Sequence, residues 1–151
     1  MLHHTIESLQ SIVTDYPEML NEIPESKWMH KPNPAKWSKK EILGHLIDSA
    51  QNNIRRFVVA QYEENPHIVY AQDDWVRISG YENYNTKDLI ALWILLNKHI
   101  CIILSNMPAG MEKRTAKTNE LHSIEWIAED YNKHLLHHLH QVLDRNPVAY
   151  P

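Results

Sequence analysis

The chain has 151 residues and a formal charge of −4, the length of a single domain able to bury a core of its own. Its 43% hydrophobic and 23% charged residues match a soluble globular domain, and no basic run or stripe exists to neutralise phosphates, which excludes a nucleic-acid binder. Three glycines cannot supply a glycine-rich phosphate loop in the usual pattern, so the nucleotide-binding folds drop out as well.

The opening "MLHHTIESLQ" has neither a charged n-region nor a long apolar h-region, so no secretory signal is expected. A helix is predicted over 5–21, where Leu9, Ile12, Val13, Tyr16 and Leu20 recur at helical spacing. Pro24, Pro32 and Pro34 then hold an extended connection, because proline lacks a donor and disfavours helix before itself. "SKKE" at 38–41 reads as a capping box: Ser38 accepts from the Glu41 amide and Glu41 reaches back. The second helix should run from there to about Glu64, with Leu43, Leu46, Ile47, Ala50, Ile54, Phe57 and Val58 as its apolar stripe.

A connection of about twenty residues follows, "NPHIVYAQDDWVRISGYENYN". Loops of that length in compact domains are usually functional or disordered. Tyr70, Trp75, Tyr81 and Tyr84 argue for a packed loop, with Trp75 as the anchor of a lid over the bundle mouth. Thr86 is expected to cap a third helix over 87–106, carrying Leu89, Ile90, Leu92, Trp93, Leu96, Ile100 and Ile103 and stopped by Pro108 and Gly110. Its neighbourhood "HICIILS" places Cys101, the sole cysteine, in the core; with no internal disulfide available, a cytoplasmic setting is expected. Lys98, His99 and Ser105 interrupt the longest apolar stretches, so no membrane span is expected. The polar "EKRTAKTNELH" admits a short hairpin, and Ser123 caps a fourth helix over 124–144, followed by Pro147. Four amphipathic helices without a strong strand run predict an all-α helical bundle, one domain over 1–151. Trp37 and Trp93 are assigned to its core.

The segment "YNKHLLHHLHQVL" (131–143) packs four of the eleven histidines into seven positions. Residues four apart share a helix face. Ile124, Ile127, Tyr131, Leu135 and Val142 define the inward stripe of this helix; His134 and His138 fall at its inner edge, whereas His137 and His140 point toward solvent. Two imidazoles at i, i+4 can share one divalent ion, as in zinc-binding helices, or can be hydrogen-bonded histidines of the bundle. On the second helix His45, in "GHLIDSA", lies on the border between a solvated face (Glu41, Asp48, Arg55) and a flank of Ile42, Ser49, Asn52, Asn53 and Arg56. That flank is rich in uncharged hydrogen-bonding groups, like the wall of a wet cleft; an exposed histidine on an irregular surface is the alternative.

The stretches "KPNPAKWSKKEILGHLIDSAQNNIRRF" (31–57), "QDDWV" (72–76) and "IEWIAEDYNKHLLHHLHQV" (124–142) together resemble the DinB-like (YfiT-type) metalloenzyme family, over about 25–145 and in the right order. The resemblance implies an up-down-down-up four-helix bundle, with the long loop between the second and third helices, and a divalent ion, nickel or zinc, held by three histidines. Those correspond to His45, His134 and His138. Many relatives close the last motif with "HRGQ", where this chain reads "HLHQ". The family also implies a small-molecule substrate, a homodimer and, in some relatives, thiol S-transfer using a low-molecular-weight thiol.

Three neutral imidazoles leave the ion its full charge and at least one open position, the pattern of catalytic rather than structural sites. Such an ion acidifies a bound water or thiol, so the same parts serve a thiol transferase or a hydrolase; a non-enzymatic metal- or ligand-binding stress protein is the third reading. Asp130, one turn before His134, and Asp48, near His45, are candidates to orient the ligands, although a surface carboxylate is the simpler expectation for Asp48. Asn52, Asn53 and Arg56 either line a polar or anionic pocket or, for Arg56, form a structural salt bridge. His99 is expected as a satisfied core histidine, and Cys101 has no basic neighbour that would make it a nucleophile.

Overall fold

The computed structural model describes residues 2–150. In chain order its elements are α1 (Leu2–Asn21), α2 (Glu25–Met29), α3 (Lys39–Val59), α4 (Gln72–Ser79), α5 (Thr86–Ser105), β1 (Thr115–Lys117), β2 (Leu121–Ser123) and α6 (Ile124–Val142). The four long helices form the bundle. α3 packs on α5 and α6, and α1 packs on the same two, so α1 and α3 are diagonal partners.

The directions follow from contacts along each pair. Lys39, at the start of α3, bonds the carbonyl of Val142 at the end of α6 at 2.6 Å, so those helices are antiparallel. Asn132 of α6 meets the Thr5 carbonyl and His140 meets Tyr16, so α1 and α6 run together. Gly44 abuts Tyr81 just before α5, and the Ala60 carbonyl at the other end of α3 takes Arg114 beyond α5, so α3 and α5 run together. The order is up-down-down-up, and the parallel pair α3–α5 is what demands the long return between them.

Most of the expected apolar stripes form one buried core, including Leu9, Leu20, Leu43, Leu46, Phe57, Leu89, Trp93, Ile100, Ile124 and Leu135; Val58, placed on the stripe of the second helix, is instead exposed, at the outer side of its last turn. By length and composition α5 could cross a membrane, with a mean hydropathy of 1.7. It lies against α1 and α3 and buries the polar Asn97, which accepts from the Tyr131 hydroxyl across the bundle at 2.5 Å.

Several boundaries differ from the sequence expectation. The connection after α1 is not all extended: α2 forms directly after Pro24 and buries Trp28. α3 stops at Val59 rather than near 64, because Arg114 takes the Ala60 and Glu63 carbonyls and Asn65 turns left-handed (φ 47°). The long connection contains α4, closed by Gly80 at φ 64°. The cap of α5 is Asn85, whose side chain accepts from the Asp88 amide; Thr86 is already helical and donates instead to Glu25. Ser38 with Glu41, and Ser123, cap α3 and α6 as expected, and the hairpin forms with Ala116 opposite His122.

Candidate metal centre

The capping box fixes where α3 begins, and Lys39 pins that beginning to the last turn of α6 through Val142 and Asp144. His45, under two turns further on, therefore faces the second half of α6, where His134 and His138 stand on successive turns. The nitrogen offered by each of the three lies within 4.8 Å of the other two. His45 Nε2 and His134 Nε2 are 3.0 Å apart. The rings meet edge-on, with centroids 4.6–4.9 Å apart and interplanar angles of 76–82°. Nitrogens each about 2.0–2.1 Å from one ion must sit roughly 3 Å apart, a spacing the His45–His134 pair already has, and the trio offers the donor chemistry of a divalent-cation site.

His45 is 1% exposed, well inside the border position expected for it. Trp37, assigned to the core, is half-buried and lies on the His45 ring with centroids 4.9 Å apart. Burial lowers the His45 pKa to about 4, with help from His138. Burial lowers that of His134 to about 3, helped by His45, His138 and His137. Burial lowers that of His138 too, against its bond to Gln141 Oε1. All three are therefore neutral near pH 7, the form that binds metal. His138 Nδ1 is held by Gln141 Oε1 at 2.7 Å, which leaves Nε2 for the ion. His45 Nδ1 is buried without a partner.

Asp48 is not a surface carboxylate. It is fully buried and accepts from the Tyr81 hydroxyl. Burial raises its pKa to about 6, against that bond, and its second oxygen is unpartnered. Asp130 serves Tyr150 rather than His134, accepting its hydroxyl at 2.7 Å. Asn52 and Asn53 bond back to carbonyls of Asp48 and Ser49 in their own helix. Arg56 makes no salt bridge among the described residues; it donates to the Ile68 carbonyl and to Asn53. His99 is exposed, not core. Burial raises the Cys101 pKa, which agrees with its exclusion as a nucleophile.

A groove of about 610 Å³ runs between α3 and α6, with His134 and His138 in its wall beside Ser49, Asn53, Arg56 and Asp130. Trp75 does not cover it. That side chain is half-buried against Tyr70, centroids 5.8 Å apart, and faces Ile47 and Leu92 on the other side; Tyr70 is the groove residue. His137 and His140 face the C-terminal segment rather than open solvent: their Nδ1 atoms meet the carbonyls of Val148 at 2.5 Å and Asn146 at 2.8 Å. That strap carries Tyr150 to the His134 ring, with centroids 5.2 Å apart. Tyr70, Tyr150, and the stacked pair His122–Trp126 (3.5 Å, 8°) complete the wall. The sequence reading missed Tyr150 and Trp126. Trp126 was findable as an aromatic off the buried stripe of α6; Tyr150, in an irregular segment beyond Pro147, carried no local signal.

The model of the DinB superfamily matches residues 8–142. The chain is 34% identical over 108 residues to a protein of Oceanobacillus iheyensis and 21% identical over 109 residues to one of Bacillus mycoides (strain KBAB4). Each is named "Putative metal-dependent hydrolase". The matches cover 68% and 72% of this chain, and 61% and 63% of those proteins, so the chain spans about three-fifths of their length. Among solved structures the fold is similar to that of YfiT from Bacillus subtilis, with a TM-score of 0.84 and 20% identity over 95% of this chain and 84% of that one. That protein is described as "a probable metal-dependent hydrolase with an unusual four-helix bundle topology".

Proposed function

The chain belongs to the DinB superfamily, and from that premise we propose that it is a metal-dependent hydrolase of a small molecule, with His45, His134 and His138 as the ligands of one divalent ion. The observation that carries the proposal is the convergence of three nitrogens from two helices, within 4.8 Å, at the wall of a groove large enough for an organic substrate. The names of the relatives point the same way. Imidazole donors suit zinc or nickel. Such an ion, when bound, supplies Lewis-acid activation of a water or thiol. The chain's own residues hold the imidazoles neutral, fix His138 through Gln141 and pack Trp37 behind His45.

Thiol S-transfer is the second reading, and the size of the groove is compatible with it. Hydrolysis needs room for one organic molecule and a water, whereas 610 Å³ also admits a small thiol beside its electrophile. A cytoplasmic homodimer completes the proposal: Leu95 and Ile102, seven apart on one face of α5, are 63% and 57% exposed.

The test is metal analysis of untagged wild-type protein beside His45→Ala, His134→Ala and His138→Ala. One ion per chain in the wild type, and its loss from each variant, is the expected result. Retention by His45→Ala overturns the cross-helix site. A panel of esters, amides, and thiol–electrophile pairs then separates hydrolysis from transfer, and a metal-loaded protein inert to all of them supports a binding protein instead.

A further inference from the structure

We propose that the groove recognises an anionic oxygen group of its substrate, a carboxylate or phosphate, through Arg56. The metal-centre reading supplies only what stands at the other end of the groove; the Arg56 subsite is argued from its own contacts.

Arg56 lines the groove and is partly buried there. Its Nε and Nη2 donate to the Ile68 carbonyl at 3.1 and 2.8 Å, and its Nη1 donates to Asn53 Oδ1 at 3.3 Å. Every acceptor is neutral. Among the described residues no carboxylate comes within ion-pair distance of it. A guanidinium has five N–H donors in a planar fork, so two remain, one on each terminal nitrogen, available to donate to the oxygens of a carboxylate or phosphate at the end of the fork. The three bonds already made, and the Tyr70 ring 5.9 Å from the guanidinium carbon, hold the fork in place. Its ordering is therefore complete before any ligand arrives, which lowers the entropic cost of binding.

Among the described residues, no acidic group of the groove pairs directly with this charge. Asp130 accepts the Tyr150 hydroxyl and makes no ion pair with Arg56, on which it acts only through space, a pull weaker than the opposing effect of burial. Glu120 is exposed, where water and salt screen it. A partly desolvated cation without a directly paired counter-charge is costly, and a substrate oxyanion relieves that cost.

The helix sets the spacing. Arg56 follows His45 by eleven residues, about 16 Å along α3 and only about 20° around it. Both therefore stand on the face toward α6: Arg56 lines the groove at one end, and His45 is buried behind His134 and His138, which line it at the other. The substrate this fits is elongated, with its reacting group at the histidines and its anionic group a helix's half-length away. Tyr70, Tyr150 and Trp126 between them offer flat apolar walls to its body.

The probes are 3-phenylpropanoate, phenyl phosphate and the neutral 3-phenylpropanamide, titrated by NMR into the full chain, metal-free and zinc-loaded. The expected result is at least tenfold tighter binding of one or both anions than of the amide, in both forms of the protein. Arg56→Gln should erase that preference and Arg56→Lys should keep part of it, with thermal unfolding confirming that each variant is folded. Equal binding of anions and amide to the wild type overturns the proposal, and so does a preference that survives in folded Arg56→Gln. A preference seen only with zinc also overturns it, since the ion would then be the anion's partner. Because the metal-free wild type decides the matter alone, a failure of Arg56→Gln to fold leaves the proposal testable, and a protein that binds no metal leaves the result readable.

Discussion

A Cβ added to Gly44 would lie 2.1 Å from the ring of Tyr81, whose hydroxyl is bonded to the buried Asp48. In a helix interior glycine costs up to about 1 kcal/mol relative to alanine, so a naive expectation is that Gly44→Ala stabilises. The close approach of a fixed, buried ring reverses the sign. Gly44→Ala should destabilise by about 1–3 kcal/mol, the usual cost of overpacking, read as a lower urea midpoint at unchanged slope. Residue 44 also sets the seat of His45. At the far side of the site Gln141 holds His138 Nδ1. Removing the partner that orients a metal-binding imidazole typically costs 10–100-fold in affinity. Gln141→Ala should weaken zinc binding by about that factor while stoichiometry at saturation stays at one ion, measured by competition with a chromophoric chelator. Neither residue announces its role in the sequence, where Gly44 is only a small residue and Gln141 only the end of "HLHQ".

At the scale of elements, the caps of α3 and α6 were legible, that of α5 was placed one residue late, and short irregular helices were not legible at all. Ser38 and Glu41 form both arms of the capping box, and Lys31 adds an ion pair to Glu41 at 3.0 Å. The signal lies in four consecutive residues, so no tertiary knowledge is needed to find it. Ser38→Ala should cost about 1 kcal/mol, measured by denaturant unfolding, and should weaken metal binding less than Gln141→Ala does, because the rest of α3 still fixes His45. α2 and α4 are too short to show a helical period. They form because Trp28 and Val76 bury against the bundle, which no local pattern reports. The end of α3 is likewise decided by Arg114, more than fifty positions on.

For the whole molecule the buried imidazoles set a pH dependence. An unfolded histidine takes a proton near its ordinary pKa of 6.5, whereas in the folded chain His45 and His134 stay neutral down to about 4 and about 3, and His138 is shifted the same way. Between pH 6.5 and 4 the unfolded state binds more protons, so stability falls as pH falls. Asp48 acts in the opposite sense: raised from 3.8 to about 6, it is protonated first in the folded state and recovers some stability over that range. Three imidazoles outweigh one carboxyl. The metal-free protein should lose stability on the order of 1–2 kcal/mol per pH unit between pH 6 and 4. Unfolding titrations at pH 7 and 5 check this, and the slope should flatten in a His45→Gln/His134→Gln double variant.

The sequence by itself determined what is local or periodic: four amphipathic helices, the caps at Ser38 and Ser123, and the shared inward edge of His134 and His138, because a helix repeats its faces every few residues. Resemblance added the topology and turned His45 from an open candidate into the expected third ligand. The tertiary structure alone decided burial and partnership across the bundle. It moved His45 and Asp48 from a wet border to the interior, sent His99 to the surface, and turned His137 and His140 into anchors for the strap that brings Tyr150 to the groove. The reason is physical: which face of α3 is covered depends on where α6 crosses it, and that crossing is set by contacts such as Lys39 with Val142, between residues a hundred positions apart.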